Sequence, residues 1–316
     1  MPERVPLPLI LTVLLTTTAT LSAAETPPFH VLEAGIENVH SALKSGRVTC
    51  RDLTQLYLKR IAAYDKSGPI LNAVQTLNPE ALREAEGLDA AWKASGPVGP
   101  LHCIPVLVKD QVETSGLTTT YGSAVFQNFV PTRDATVVIK LKKAGAIILG
   151  KTTMGEYASG YAGSAFGIVR NAYDPKRSPS GSSGGTGSAI AANFATVGIG
   201  EDTGGSIRGP AAVSSLVGLR PTVQLVSRYG MLPAKPSSDT LGPIARTVTD
   251  AAIVLGVIAG YDPNDVVTAY SVGQVPDSYT SFLRRMVSKA HASGSFANRW
   301  TRRPILLQPT TNRCGP

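Results

Sequence analysis

Apolar residues recur along this chain in alternating helical and strand-like patterns. In "VTCRDLTQLYLKRIAAYD", Leu53, Leu56, Tyr57 and Ile61 fall at helical spacing behind Thr49 and Asp52, which are placed as a capping box. The pattern predicts an amphipathic helix ending near Gly68. "GPLHCIPVLVKD" is a mostly apolar run closing on Lys109 and Asp110, and it predicts a buried strand. "DATVVIKLKKAGAIILGKT" predicts a helix with Gly145 as its C-cap, then a strand over Ala146 to Leu149. "SGSSGGTGSAIAANFATVGIG" reads as a polar glycine loop that becomes a small-residue helix around Ala189 to Phe194, followed by a strand over Thr196 to Ile199. Thr247 and Asp250 cap one more helix, Ala251 to Ala259. Strands alternating with helices predict an α/β fold whose sheet has covered faces. No internal repeat is present.

Both ends depart from this pattern. Arg4, the apolar run Leu7 to Leu15 and the small residues up to Ser22-Ala23-Ala24 follow the order of a secretory signal peptide. The run is short for a stable membrane anchor, so residues 1–24 are expected to be removed and the protein to be secreted or periplasmic. After Leu283 the sustained apolar period is lost, and residues 284–316 read as a basic tail. The formal net charge of +8 belongs to this end. From Ser278 onward there are seven Lys or Arg and no acid, leaving 23 basic and 22 acidic residues elsewhere. A nearly neutral body is not a nucleic-acid footprint, so no such partner is expected.

With 316 residues, 43% hydrophobic and 16% charged, the composition suits a globular body, here 25–283. Cys50, Cys103 and Cys314 allow one disulfide at most, which excludes a disulfide scaffold. His30, His40, His102 and His291 lack metal-ligand spacing, and no metal or other cofactor is expected.

Two short motifs compete for the chemistry. Gly145 to Thr152 matches the P-loop pattern G-x-x-x-x-G-K-[ST], but Ala-Ile-Ile-Leu between its glycines is itself the strand, where a bare phosphate-wrapping backbone is needed. Gly181-Ser182-Ser183-Gly184-Gly185 matches the nucleophile-elbow pattern G-x-S-x-G. That elbow follows a strand and needs a downstream histidine, whereas "KRSPS" is no strand and only His291 follows. What is left is serines in glycine surroundings without a histidine. A lysine can serve as the base in such a site if burial leaves it neutral, and Lys109 is the one lysine that follows a buried-strand pattern. On the residues alone, a lysine reaching out to solvent at the strand end is the favoured alternative.

Taken together, "GPLHCIPVLVKD", "SGSSGGTGSAIAA" and "GEDTGGSIRGPAA", in this order and spacing, resemble the amidase signature family of serine hydrolases. "KTTMGEYASG" and "NAYDPKRSPSGSSGG" resemble its connecting segments, and the likeness runs from about Ile36 to Asp277. The resemblance implies a mixed central sheet covered by helices on both faces. It implies a Ser-cisSer-Lys triad, with Ser206 as nucleophile, Ser182 as the bridging serine after a cis peptide bond, and Lys109 as base. The oxyanion hole is then formed by Thr203, Gly204, Gly205 and Ser206, where side chains at 204 or 205 would block the substrate carbonyl. Ser183, Asp202 and Arg208 are implied as supporting residues. The substrate class implied is a small-molecule or peptide amide, hydrolysed through an acyl-enzyme.

The sequence departs from the family in two ways. Cys103 stands where glycine is usual, and family members are longer by a good third, so the C-terminal part of the fold is expected to be missing. Alternatives are an inactive remnant, a protein of the amidotransferase-subunit type (disfavoured by the signal peptide) and, most weakly, a nucleotide-binding module.

Overall fold

The computed structural model describes residues 29–283, so the signal-peptide and basic-tail segments lie outside the described residues. Helices α1 (Ile36–Lys44) and α2 (Cys50–Tyr64) open the fold. Thr49 caps α2 by accepting from the Asp52 amide, and Leu53, Tyr57 and Ile61 are buried, as their spacing predicts. The helix stops at Tyr64, one turn before the expected end.

Six strands build one sheet. They are β1 (Val74–Leu77), β2 (Pro105–Lys109), β3 (Ile147–Thr152), β6 (Val197–Asp202), β7 (Val217–Gly218) and β8 (Thr240–Ala245). Their order is β1-β3-β2-β6-β8-β7. The central strand β2 runs parallel to both β3 and β6, and the β1–β3, β6–β8 and β7–β8 pairs are antiparallel. The sheet is therefore mixed, and β2 is buried at every position, as expected of a parallel strand with both faces covered. Helices α3 (Ala81–Ser95), α4 (Thr136–Lys143), α5 (Gly184–Ala191), α6 (Arg208–Ala212) and α7 (Val248–Ile258) complete the layers. A small hairpin, β4 (Ala162–Gly163) with β5 (Gly167–Ile168), stands apart from the sheet. Among the described residues no helix is long and apolar enough to cross a membrane.

Besides the end of α2, other boundaries differ from the sequence expectations, among them β6, which runs to Asp202 rather than Ile199, and α7, which starts at Val248 rather than Ala251. Ala144, one residue before Gly145, is the C-cap of α4. Strand β3 continues past Leu149 through Gly150, Lys151 and Thr152. Lys151 is buried, with Nζ donating to the Asp110 carbonyl at 3.0 Å and Thr119 Oγ1 at 2.8 Å, so the P-loop-like letters form an internal strand. Helix α5 begins at Gly184, five residues earlier than expected, and ends at Ala191. Its glycines are needed for contact: a Cβ at Gly185 would lie 2.2 Å from the Thr153 carbonyl oxygen.

Cys50, the first residue of α2, is joined by a disulfide to Cys103 in the turn before β2, with Cα atoms 5.1 Å apart. Cys103 has φ +60°, the left-handed region where glycine costs least, so the glycine expected here from the resemblance would fit this backbone with less strain. The bridge spans 53 residues, and chain entropy sets its contribution at about 4 kcal/mol. Denaturant unfolding of the oxidised and reduced protein should differ by that order. Equal unfolding free energies would show that the bridge does not stabilise the fold.

Candidate active site

Parallel pairing of β2 with β6 brings the carboxyl ends of both strands to one edge of the sheet, the edge where open α/β sheets hold their sites. Lys109 ends β2, and Glu201 and Asp202 end β6. The segment before α5 supplies Ser182 and Ser183, and the turn between β6 and α6 supplies residues 203–207.

Lys109 is wholly buried. Its Nζ donates to Ser182 Oγ at 2.7 Å, to Glu201 Oε2 at 2.9 Å and to the Glu201 carbonyl at 3.3 Å. Three acceptors match the three protons of an ammonium. A neutral amine fits equally well, keeping the two bonds to Glu201 and accepting the Ser182 proton. Burial pushes the lysine below its usual range, while Glu201, and more weakly Asp202 and Asp239, oppose that shift. The Gly181–Ser182 peptide bond is cis.

Ser183 Oγ is fully engaged, donating to the Glu201 carbonyl at 3.1 Å and accepting from the Glu201 amide at 3.2 Å. Helix α5 starts directly after it, but no strand leads into it, since β5 ends at Ile168, so the G-x-S-x-G letters do not form an elbow. Ser206 is half-buried and abuts the same segment, its carbonyl accepting from the Ser183 amide at 3.3 Å. Its hydroxyl makes no hydrogen bond among the described residues.

Asp202 organises the turn that carries Ser206. Its Oδ1 accepts from Gly205 N at 2.6 Å, and its Oδ2 from Ile207 N at 3.1 Å and Arg208 Nε at 3.0 Å. Arg220 adds a second cation, 3.2 Å from Oδ1. Burial pushes the Asp202 carboxyl up, but the bonds from Arg208, Ile207 and Gly205 outweigh it and bring it down to about 2.

The four N–H groups expected to form the oxyanion hole are not equally free. The Gly205 N–H is committed to Asp202, whereas those of Thr203, Gly204 and Ser206 have no acceptor among the described residues. A Cβ at Gly204 or Gly205 would meet no protein atom, so the front of the turn is open. Gly205 is needed for its backbone, at φ +140°, rather than to avoid a protein neighbour.

Two acids outside the motif-derived set complete the arrangement. Glu201 Oε1 and Asp239 Oδ1 lie 2.8 and 2.6 Å from Thr203 Oγ1. Adjacent acids at the end of a buried strand were the available signal for Glu201. Asp239 is brought in by the fold from an unremarkable loop. The described histidines stand elsewhere: His30 is exposed, His40 Nε2 meets the His102 carbonyl, and His102 stacks on Trp92. His102 Nε2 lies 3.9 Å from Cys50 Sγ, but both nearby sulfurs are consumed in the disulfide. His291 lies outside the described residues.

A family model described as Amidase matches residues 52–289. A glutamyl-tRNA(Gln) amidotransferase subunit of Gloeothece citriformis is 44% identical over 259 residues, 81% of this chain and 52% of that protein. The native peptide amidase of Stenotrophomonas maltophilia superposes with a TM-score of 0.74 at 45% identity, over 77% of this chain and 51% of that one. An amidase family protein from Bacillus anthracis gives a TM-score of 0.75 at 39% identity, over 78% and 51%. The chain thus spans about half the length of the relatives it matches.

Proposed function

We infer, from the premise that the chain belongs to the amidase family, that it hydrolyses a linear amide C–N bond through an acyl-enzyme on Ser206. The observation that carries this reading is the buried 2.7 Å hydrogen bond between Lys109 Nζ and Ser182 Oγ, with Ser206 held against the neighbouring Ser183. In this scheme Ser206 Oγ attacks the substrate carbonyl carbon. Its proton passes to Ser182 Oγ, and the Ser182 proton passes to neutral Lys109. The free N–H groups of Thr203, Gly204 and Ser206 stabilise the oxyanion. Collapse of the tetrahedral intermediate expels the amine, which takes the proton back along the same path. Water then cleaves the ester and releases the acid. The amine and acyl groups accepted are those of small-molecule or peptide amides, a class supported by the peptide amidase likeness.

An active-site fluorophosphonate should label the full chain at Ser206, and primary amides of amino acids and short peptides should release ammonia. Failure of both would leave the remnant alternative standing. A second reading follows from the amidotransferase relative, in which the chain works with a partner protein. Full turnover by a monomer in solution would count against it. Export to an oxidising space is proposed with the first reading, and the Cys50–Cys103 disulfide supports it.

A further inference from the structure

Beside Lys109, one hydroxyl faces two carboxyl groups. Thr203 Oγ1 lies 2.8 Å from Glu201 Oε1 and 2.6 Å from Asp239 Oδ1, and both acids are wholly buried. A hydroxyl has a single proton and can donate to only one of the two oxygens. If both acids were ionised, the other oxygen would face a lone pair at hydrogen-bond distance, away from water, which is costly. One additional proton removes the conflict, because a protonated carboxyl can donate to the threonine oxygen while the threonine donates onward. Paired carboxyl groups that share one proton follow the same logic.

We propose that Glu201, Thr203 and Asp239 form a proton-sharing chain that holds one proton between its two carboxyl groups and thereby sets the negative charge facing Lys109. The catalytic consequence rests on the reading of Lys109 as the base of an amidase. With the proton on Asp239, Glu201 is an anion 2.9 Å from Nζ and holds the lysine as an ammonium. With the proton on Glu201, the anion sits on Asp239, where the Ala234 and Lys235 amides donate to Oδ2 at 2.8 Å each. The lysine then loses its adjacent anion. Interconversion moves two protons one step each, from Asp239 to Thr203 and from Thr203 to Glu201, with none gained or lost.

The other charges around the pair do not remove the conflict. Asp202 faces Lys109 but is bound by Arg208 and Arg220. Arg228 faces Asp239 and is engaged by Asp265, and all three border one surface cavity. Glu201 and Thr203 therefore act as positioning residues for the base, and Asp239 connects them to the cavity.

The test compares Glu201→Gln, Asp239→Asn and Thr203→Val in the full chain. Two readouts are used: the pH midpoint of fluorophosphonate labelling, and direct titration of the Lys109 amine by ¹⁵N-lysine NMR, its signal identified with Lys109→Arg. Glu201→Gln should lower both midpoints by about 1–3 pH units, the effect of losing an adjacent opposite charge. Asp239→Asn should raise the midpoint or leave it in place, because the remaining carboxyl, Glu201, keeps the anion beside the lysine. Two independently ionised acids would instead give a downward shift in both variants, so a lower midpoint in Asp239→Asn overturns the proposal. An unmoved midpoint in Glu201→Gln does so as well. Should Asp239→Asn not fold, Thr203→Val decides: loss of the shared proton raises the midpoint, and no change refutes the chain. If the unmodified protein is labelled at no pH, the amidase reading fails, while the NMR titration still decides the proton-sharing chain.

Discussion

Ser206→Ala should lower amide hydrolysis on the order of 10⁶-fold and eliminate fluorophosphonate labelling, since removing a serine nucleophile costs about as much as removing its whole triad. The fold should be nearly unaffected. Ser206 is tied to its neighbours through its carbonyl, which accepts from the Ser183 amide, and its hydroxyl has no partner among the described residues. A stability change within about 0.5 kcal/mol is expected, the range for substitutions that break no buried contact. Ser183→Ala is the control. It removes a buried hydroxyl that both donates to and accepts from the Glu201 backbone, so it should cost about 1–3 kcal/mol of stability and leave labelling in place. If Ser183→Ala removed labelling and Ser206→Ala did not, the nucleophile would be the wrong serine.

Lys109→Ala should lose about 10²–10⁴-fold in rate, the usual worth of a general base, and Lys109→Arg should recover none of it because a guanidinium stays protonated. The pH dependence has a definite sign. Burial holds the lysine below its usual range, so the rate should rise with pH through that lowered value. Stability should rise over the same span. Between the lowered folded value and the unfolded value of about 10.4, the unfolded chain binds more protons than the folded one. The penalty for burying the charge is therefore fully present below the folded value and is relieved as pH increases above it. Rates must be compared on folded protein, because Lys109→Ala also leaves the Glu201 carboxylate without its cation, at a cost of about 3–5 kcal/mol. A rate that is flat in pH across the alkaline range, with unchanged activity in Lys109→Arg, would remove the lysine from the mechanism.

Amphipathic helices and parallel strands were legible because each carries its own signal. Helix α2 shows its buried stripe and its cap in one short stretch, and β2 shows an unbroken apolar run because both its faces are covered. The motifs also singled out Lys109, Ser182 and Ser206, which the fold places at the end of β2, just before α5 and just after β6. Helix α5 was hidden in part. Gly184, Gly185 and Gly187 are poor helix formers, and close tertiary contacts make glycine favourable there, Gly185 against the Thr153 and Ala73 carbonyls and Gly187 against Pro210. Strand β8 was harder to read. Gly242-Pro243 reads as a break, and proline cannot donate to a ladder, yet β8 lies between β6 and β7, with Pro243 opposite Ile199 and its carbonyl accepting from Leu219.

The sequence by itself determined the α/β class and the buried strand that ends on Lys109, because those follow from local periodicity, and three separated segments carried the resemblance to the amidase family. Only the tertiary structure decided what surrounds them. Glu201 and Asp239 are 38 residues apart in the chain and become partners of one threonine hydroxyl because β6 and β8 pair antiparallel and bring their ends together. Cys103 meets Cys50 because α2 packs against the turn that leads into β2. Burial of Lys109 is likewise a property of the assembled sheet. A side chain's protonation depends on the water excluded and the charges gathered around it, and neither can be read from its neighbours along the chain.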